Sequence, residues 1–381
     1  MFYNSGMDLV QKLGLLGCET RHEPAGDEVP AASARIPAEL VDSITHVISP
    51  HNPQMPVLKA MTTTVCTRDC HYCGMRCGRD TRRVTFSPDE MADGFFRLYR
   101  AGLVEGIFLS SGILGDGVRA QDQIIATAEI IRLKLGFQGY VHLKVMPGAE
   151  YDQVVRTMQL ANRVSVNLEA PNPGRLERLA PHKGFVNELL QRLRWIDQIR
   201  EDQGGRGPSS TTQFVVGPAG ESDLELLQTT QHLHQHLGLK RAYFSRFDPI
   251  PNTPLENAPP TPVARQHRLF QSSFLLRDYH FEVEELPFGP DGNLPLNQDP
   301  KLLWAQENLF WRPVELNRAE RQDLLRVPGI GPKGADRILQ ERRRGTLRNL
   351  EELRKIGVLA DRAAPFITLD GMRPPLQLPL W

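Results

Sequence analysis

The sequence predicts an α/β fold: six parallel strands curved toward a partial barrel of the (β/α)6 type, followed by a small all-α C-terminal domain. Two observations predict it. From residue 56 onward, short apolar or β-branched runs alternate with longer helical patterns. Beyond residue 315 the composition becomes helical and rich in arginine. Strand–helix alternation also suits a doubly wound sheet, and periodicity alone does not separate the two.

The apolar runs predict strands at 57–65, 106–110, 140–145, 164–168, 211–216 and 241–247. Amphipathic patterns predict helices at 7–17, 88–101, 122–135, 151–161, 182–201 and 223–237. The helix at residue 88 has a clear start, because Ser87 suits an N-cap and Pro88 suits the first helical position. Residues 18–34 are polar and rich in turn formers, and they predict an exposed connector.

These patterns divide the chain into five parts. They are an N-terminal helical extension (1–55), the partial barrel (56–282), a wrapping linker rich in proline and glycine (283–315), a helical module (316–366) and a tail (367–381).

Composition limits the class of protein. The chain has 381 residues, 40% of them hydrophobic, and 45 Lys and Arg balance 45 Asp and Glu, so a sizeable core is expected and wholesale disorder is excluded. The sequence contains no run of about 20 apolar residues, so it predicts no membrane span. The N-terminus lacks the pattern of a signal peptide. The odd number of cysteines, five, argues against a disulfide framework, so we expect a cytoplasmic protein.

Four cysteines, Cys66, Cys70, Cys73 and Cys77, follow the first predicted strand closely. The first three have the spacing C-x3-C-x2-C, and three thiolates on one loop can hold three irons of a [4Fe–4S] cube while the fourth iron stays open to another ligand. A structural zinc site is the alternative, although it usually needs a second pair of ligands downstream. Cys77 could close a four-thiolate site; we take it as non-ligating and Cys18 as an incidental thiol.

The segment Cys66-x3-Cys70-x-Tyr72-Cys73 resembles the signature of radical S-adenosylmethionine (SAM) enzymes, with an aromatic residue before the last cysteine. The resemblance implies a TIM-like partial barrel, a [4Fe–4S] cluster on the three cysteines and SAM on the open iron. It also implies that an electron from an external low-potential donor cleaves SAM to a 5′-deoxyadenosyl radical, which abstracts a hydrogen atom from the substrate.

The same resemblance implies SAM-binding residues on the first three strands. Ser110, Ser111 and Gly112 would meet the methionine amino group through backbone carbonyls, because no glutamate follows them. Lys144, at the end of the third strand, would meet the SAM carboxylate, and Tyr72 would flank the adenine. Gly112 could equally be a simple turn glycine.

Later strands supply the remaining implied residues. Asn167 and Glu169 share one face of the fourth strand and would hold the ribose hydroxyls. Gly217 resembles a turn near the adenine or is only a turn glycine. Arg246 could touch SAM or a substrate phosphate, or form a surface ion pair. Glu169 could instead pair with Lys144, and His71 is expected to face solvent.

A second motif lies near the C-terminus. Residues 324–338 resemble a helix-hairpin-helix, in which Gly329 and Gly331 form the turn and Lys333 and Gly334 begin the second helix, whose amides can face a phosphate. Residues 347–358 resemble a degenerate second unit. Between 312 and 362 there are 13 Lys and Arg and 8 Asp and Glu, a net charge of +5. The alternative is that this hairpin mediates only packing or protein contacts.

With Asp299-Pro300-Lys301 and residues 312–319, the combination resembles radical SAM proteins assigned to DNA modification or repair. The resemblance implies a nucleic-acid partner, with DNA favoured, and no membrane partner. One alternative is a radical SAM enzyme acting on RNA, a peptide or a small metabolite, with the hairpin as a docking element. Another is a non-catalytic nucleic-acid-binding protein with a structural cluster.

Overall fold

A computed structural model describes residues 9–20, 23–29, 40–49 and 52–375. It divides into two compact units. The first comprises Met1–Glu221 and Leu233–Thr261, and the second comprises Ser222–His232 and Pro262–Trp381. In the described part of the helical extension predicted for 1–55, a helix is followed by two strands, and the segment 283–315 contains a helix of its own.

Eight strands of the described residues form one sheet in sequential order. They are β1 (Glu28–Val29), β2 (Ile44–Val47), β3 (Met55–Met61), β4 (Gly106–Ser110), β5 (Tyr140–Lys144), β6 (Arg163–Ser165), β7 (Ser209–Val216) and β8 (Arg241–Arg246). Neighbours from β3 to β8 pair in parallel, whereas β1, β2 and β3 pair antiparallel. The six parallel strands and the α/β class are therefore confirmed, and the sequential order excludes a doubly wound sheet.

Helix α1 (Leu9–Thr20) precedes these strands. The helices between β3 and β8 are α2 (Pro88–Arg100), α3 (Gly117–Glu129), α4 (Tyr151–Leu160), α5 (Pro173–Leu179), α6 (Gln191–Asp202) and α7 (Asp223–His236). At α2 the Ser87 side chain accepts the N–H of Glu90 as predicted. Two π-helical turns, Ile130–Lys134 and Phe185–Leu190, lie next to α3 and α6.

The segment that follows α1 packs against one face of the sheet, whereas the sequence predicted an exposed connector there. Ala25 is fully buried, and its carbonyl accepts hydrogen bonds from the Tyr140 hydroxyl and from His142 Nδ1, both at 3.0 Å. Because Tyr140, His142 and Lys144 alternate along β5, they face the same side of the sheet. The segment after α1 therefore lies against that face and brings Glu23 close to Lys144.

The second unit is mainly helical. It contains α8 (Val263–Asp278), α9 (Pro300–Asn308), α10 (Arg321–Arg326), α11 (Pro332–Glu341), α12 (Leu350–Lys355), α13 (Ala360–Ala363) and a parallel pair, β9 (Val314–Glu315) and β10 (Ile367–Thr368). Apolar residues of α10 and α11, including Leu324, Leu325 and Ile338, share one buried core with Leu353 of α12. Among the described residues, no helix has the length and hydrophobicity needed to cross a membrane.

Candidate functional site

A cavity of about 360 Å³ lies at the carboxyl ends of the parallel strands in the first unit. Because carboxyl ends of parallel strands meet at one edge, this edge is where barrel folds collect their functional side chains. The predicted residues that line the cavity are Cys66, Cys70, Tyr72, Cys73, Ser111, Gly112, Lys144, Asn167, Glu169 and Arg246. Ser110 and Gly217, by contrast, are not among the lining residues.

The three predicted cluster ligands share one wall of this cavity. Burial raises the pKa of the Cys70 thiol, and burial beside Cys70 raises the pKa of Cys73 to about 12. Cys77 lies outside the cavity lining and donates its backbone N–H to Arg68 O at 2.8 Å. The Cys18 side chain falls outside the described residues.

The donor set fits an iron–sulfur cube better than a single ion. In the described chain no three His, Cys, Asp or Glu side chains are grouped as one metal ion would need. In a cube each thiolate binds a different iron, so the sulfurs need not converge on one point. Three thiols on one cavity wall, with open space before them, are the protein part of such a site.

The cysteine loop is fixed to the carboxyl end of α5. The His71 N–H donates to Leu179 O at 2.7 Å, and His71 Nδ1 lies 2.9 Å from Arg178 O. Asp69 Oδ2 pairs with His182 Nδ1 at 2.7 Å. His71 thus contacts α5 rather than facing solvent freely, and the loop between Cys66 and Cys73 has a rigid support.

A buried ionic network adjoins the cysteines, and sequence reasoning found only part of it. Lys183 Nζ lies 3.0 Å from Glu169 Oε1 and 3.4 Å from the Tyr72 hydroxyl. Burial alone would raise the pKa of Glu169, but the charges of Lys183 and Lys144 and a hydrogen bond from Tyr72 hold it below its usual value. Glu169 has a φ of 64°, in the left-handed region. Such a conformation in a non-glycine residue is typical of functional sites.

The other polar residues of the cavity have partners that the sequence did not predict. Lys144 Nζ pairs with Glu23 Oε1 at 2.5 Å rather than with Glu169, and the second oxygen of Glu23 is buried with no hydrogen-bond partner in the described part of the chain. Arg246 pairs with Asp248 at 3.0 Å. A buried carboxylate oxygen without a partner can accept a hydrogen bond from a polar ligand in the cavity.

A row of polar side chains crosses three strand ends in the same cavity. Asn167 Nδ2 donates to Gln213 Oε1 at 3.3 Å, and Gln213 Nε2 donates to Ser245 Oγ at 2.8 Å. Gln213 was missed, although a glutamine within a buried strand is a usable signal. Glu23 and Lys183 gave no such signal, because neither lies in a predicted strand end.

Three of the residues predicted near the methionine and adenine moieties, Ser110, Gly112 and Gly217, differ in placement. A Cβ on Gly112 would lie 2.4 Å from Val65 O, so this glycine allows two backbone segments to approach closely. Ser110 is fully buried, and its hydroxyl finds no hydrogen-bond partner among the described residues. Gly217 has a φ of 109° and donates its N–H to Glu221 Oε1 at 2.5 Å, so it serves the turn after β7.

The hairpin residues of the second unit line a separate cavity of about 670 Å³. Gly329, with a φ of 84°, lies so close to Leu359 O that a Cβ would approach to 2.4 Å. A Cβ on Gly331 would meet the Tyr279 hydroxyl at 3.2 Å, and one on Gly334 would meet Val358 at 3.4 Å. These glycines therefore serve packing within the unit.

Two lysines of this unit lie next to the hairpin. Lys333 is exposed on the first turn of α11. Lys301 is buried and donates to Ile330 O at 2.7 Å. Burial lowers the pKa of Lys301 to about 7, although Asp299 opposes this. The backbone of the hairpin is thus held from one side by Lys301, while Lys333 is available to solvent.

Comparison with known proteins identifies two regions. Residues 61–233 match the radical SAM superfamily, and residues 311–365 match a helix-hairpin-helix motif. No curated protein sequence matches the chain.

Three solved structures show a partial likeness to this chain. Methylornithine synthase (PylB) has 15% sequence identity and a TM-score of 0.47, and the match covers 58% of this chain and 61% of that one. The hydrogenase maturase HydG from Carboxydothermus hydrogenoformans has 14% identity and a TM-score of 0.47, and the match covers 58% of this chain and 51% of that one. The methyltransferase TsrM from Kitasatospora setae has 12% identity and a TM-score of 0.40, and the match covers 62% of this chain and 44% of that one. The chain thus spans less than two thirds of the structures it resembles.

The first of the two matched regions contains all three predicted cluster ligands and the strand ends from β3 to β7. Radical SAM enzymes use a [4Fe–4S] cluster and SAM, so these are the cofactors of the matched domain.

Proposed function

Residues 61–233 form a radical SAM domain, and from this premise we propose that the chain is an enzyme that reductively cleaves SAM in order to modify or repair DNA. One observation carries the proposal. The three cysteines of one loop and the polar side chains of successive strand ends line a single cavity. Bound there, the cluster and SAM would supply a 5′-deoxyadenosyl radical, with methionine as the other product of cleavage, for abstraction of a hydrogen atom from the substrate.

The chain's own residues bind and orient in this scheme. Cys66, Cys70 and Cys73 hold the cluster. Lys144, already paired with Glu23 at the cavity edge, binds the SAM carboxylate. Glu169 stays ionised beside Lys183, which suits a carboxylate that accepts hydrogen bonds from ribose hydroxyls.

Further residues complete the cofactor site. Asn167 faces the same cavity as Glu169, and Tyr72 flanks the adenine. The electron comes from an external low-potential donor.

The helix-hairpin-helix motif supports a nucleic acid as substrate. Gly331 and Lys333 begin α11, and amides at a helix start favour an anion such as a phosphate. The surrounding segment carries a net charge of +5, and contacts of this kind position a nucleic acid without reading its sequence. DNA is favoured over RNA because the combination of this motif with the barrel resembles radical SAM proteins assigned to DNA modification or repair.

The test follows a hydrogen atom. The protein is reconstituted anaerobically with iron and sulfide, reduced, and incubated with SAM and deuterated DNA. We expect 5′-deoxyadenosine that carries deuterium, and no such product from a Cys73→Ala variant, which lacks one cluster ligand.

Parallel incubations with deuterated RNA and with deuterated metabolite extract separate the alternatives. Deuterium transfer from either of these and none from DNA would contradict the DNA assignment. Failure to form any 5′-deoxyadenosine with an intact cluster would contradict enzymatic cleavage of SAM.

A further inference from the structure

Lys183 is a buried cation that faces the cysteine loop. Its side chain is only 9% exposed, and an ammonium group has three N–H donors. The structure places two acceptors within hydrogen-bond distance of this group, Glu169 Oε1 at 3.0 Å and the Tyr72 hydroxyl at 3.4 Å. Lys183 also lines the same cavity as Cys66, Cys70 and Cys73.

The position of Lys183 is fixed by backbone contacts on both sides. Its N–H donates to Ala180 O at 2.9 Å, which closes the turn after α5. The N–H of the next residue, Gly184, donates to Glu188 Oε2 at 2.7 Å. The same turn binds the cysteine loop through the pair of His182 and Asp69, so the backbone of Lys183 is fixed next to that loop.

Lys183 is paired within the cavity, with Glu169. Among the other cations that line it, Lys144 is paired with Glu23, and Arg246 with Asp248. Burial raises the pKa of Cys70 and of Cys73, and the charge of Lys183 opposes this rise at both thiols.

A positive charge at this place acts on electron transfer. Reduction adds one electron, and therefore one negative charge, to a buried cluster that the three thiolates already make anionic. A nearby cation stabilises the more negative, reduced form to a greater extent than the oxidised form. Net charge and hydrogen bonds to the ligand sulfurs are established controls of cluster potential.

We propose that Lys183 is a positioning residue that raises the reduction potential of the cluster by holding its ammonium group beside Tyr72 in the cavity that the cluster cysteines line, with Glu169 partly offsetting that charge. The inference rests on the cluster-binding part of the proposed function. It needs neither SAM nor a nucleic acid, because the network is complete within the chain.

The test is a redox titration of the reconstituted full-length protein without SAM, followed by the EPR signal of the reduced cluster. We expect Lys183→Met to give a more negative midpoint than the wild type at equal iron content. Lys183→Arg keeps the positive charge and should return the midpoint toward the wild-type value. Lys134→Met, at a 70% exposed lysine of the first unit, is the matched control and should leave it unchanged.

A second variant tests the same network with the opposite sign. Glu169→Gln removes the carboxylate that offsets Lys183, so the midpoint should become more positive. This variant decides the matter if Lys183→Met fails to retain iron. Unchanged midpoints in both variants, or a shift of the same sign in both, would overturn the inference.

The outcomes also separate this inference from the proposed function. A wild-type protein that cannot hold a cluster overturns both. If the protein forms deuterated 5′-deoxyadenosine from DNA but the variants at Lys183 and Glu169 leave the midpoint potential of the cluster unchanged, only the role of Lys183 is overturned. A purely structural role would lower the iron content without moving the midpoint of the clusters that remain.

Discussion

Gly112 lies where the segment after β4 meets the start of the cysteine loop. Its N–H donates to Thr63 O at 2.7 Å, and an added Cβ would lie 2.4 Å from Val65 O. We expect Gly112→Ala to push these two backbones apart, at a cost of about 1–3 kcal/mol, and to lower iron retention. Urea unfolding and iron content after reconstitution measure the two effects.

Gly345→Ala, in the second unit, is the control for this substitution, because an added Cβ there would meet no atom of the described residues within 4 Å. Equal iron retention in both variants would show that the close approach at Gly112 does not shape the cluster loop.

His142 makes the first unit sensitive to acid. Its Nδ1 faces Ala25 O, which can only accept, so Nδ1 carries the proton and Nε2 accepts from Ser165 Oγ at 2.9 Å. Burial, aided by the charge of Arg163, lowers the pKa of His142 from 6.5 to about 3. Between these values the unfolded chain binds a proton that the folded chain does not. The free energy of unfolding should therefore decrease as the pH falls from 6.5 toward 3, by at most about 1.4 kcal/mol per pH unit.

Urea unfolding of the wild type and of His142→Gln between pH 7 and pH 5 checks this expectation. The wild type should lose stability more steeply than the variant, and parallel slopes would contradict the role of His142. Carboxylates titrate in both proteins, so the difference between the slopes isolates the imidazole.

At the scale of elements, the sequence predicted what periodicity and burial control. The strand at 106–110 coincides with β4, because a buried parallel strand is a short, continuous apolar run. The helix α5 was missed, since its seven residues are too few for a periodic pattern. The predicted helix at 182–201 began too early and concealed Lys183, which lies in the turn before the π-helical segment Phe185–Leu190.

The residues of the candidate site also divide into those that a local sequence pattern predicts and those that it does not. Cysteine spacing predicted Cys66, Cys70 and Cys73, and strand ends predicted Lys144 and Glu169, all of which line one cavity. Partners that reach the cavity from distant segments, such as Glu23, depend on tertiary packing that no local pattern encodes. The roles of these residues in binding remain predictions.

The short helix α5 supports the cysteine loop through its carboxyl end, so its stability should control cluster retention. The Asn172 side chain caps α5 by accepting the Arg175 N–H at 3.0 Å. We expect Asn172→Ala to destabilise the protein by about 1 kcal/mol and to lower iron retention, because Leu179 O then holds His71 less firmly. Thermal unfolding and iron content measure these effects.

An equivalent cap in the second unit provides the control. Asn349 Oδ1 accepts the Glu352 N–H of α12 at 3.0 Å. Asn349→Ala should cost a similar amount of stability while leaving iron retention unchanged. Loss of iron in both variants would mean that general stability, and not the support of the loop, sets retention.

At the scale of the whole molecule, a net charge of zero conceals an uneven distribution. Residues 312–362 carry +5, so the rest of the chain is acidic by the same amount. A zero total argues against a long-range field that would attract nucleic acid, yet it allows a local basic surface. Any binding to DNA should then depend on the hairpin unit and weaken as salt rises, because counterions released from phosphates drive it.

Lys333 is the residue at which to measure this dependence. It is exposed on the first turn of α11, whereas Gly331→Ala would press on the Tyr279 hydroxyl and confuse packing with charge. Lys333→Gln should weaken binding to duplex DNA at every sequence and reduce the slope of log K against log salt by about 1, the loss of one phosphate contact. Lys134→Gln removes the same charge from the first unit and should preserve the wild-type slope. Fluorescence anisotropy across a salt series measures the slopes. Wild-type binding that does not change with salt, or identical slopes in the two variants, would exclude the hairpin as the phosphate-binding element.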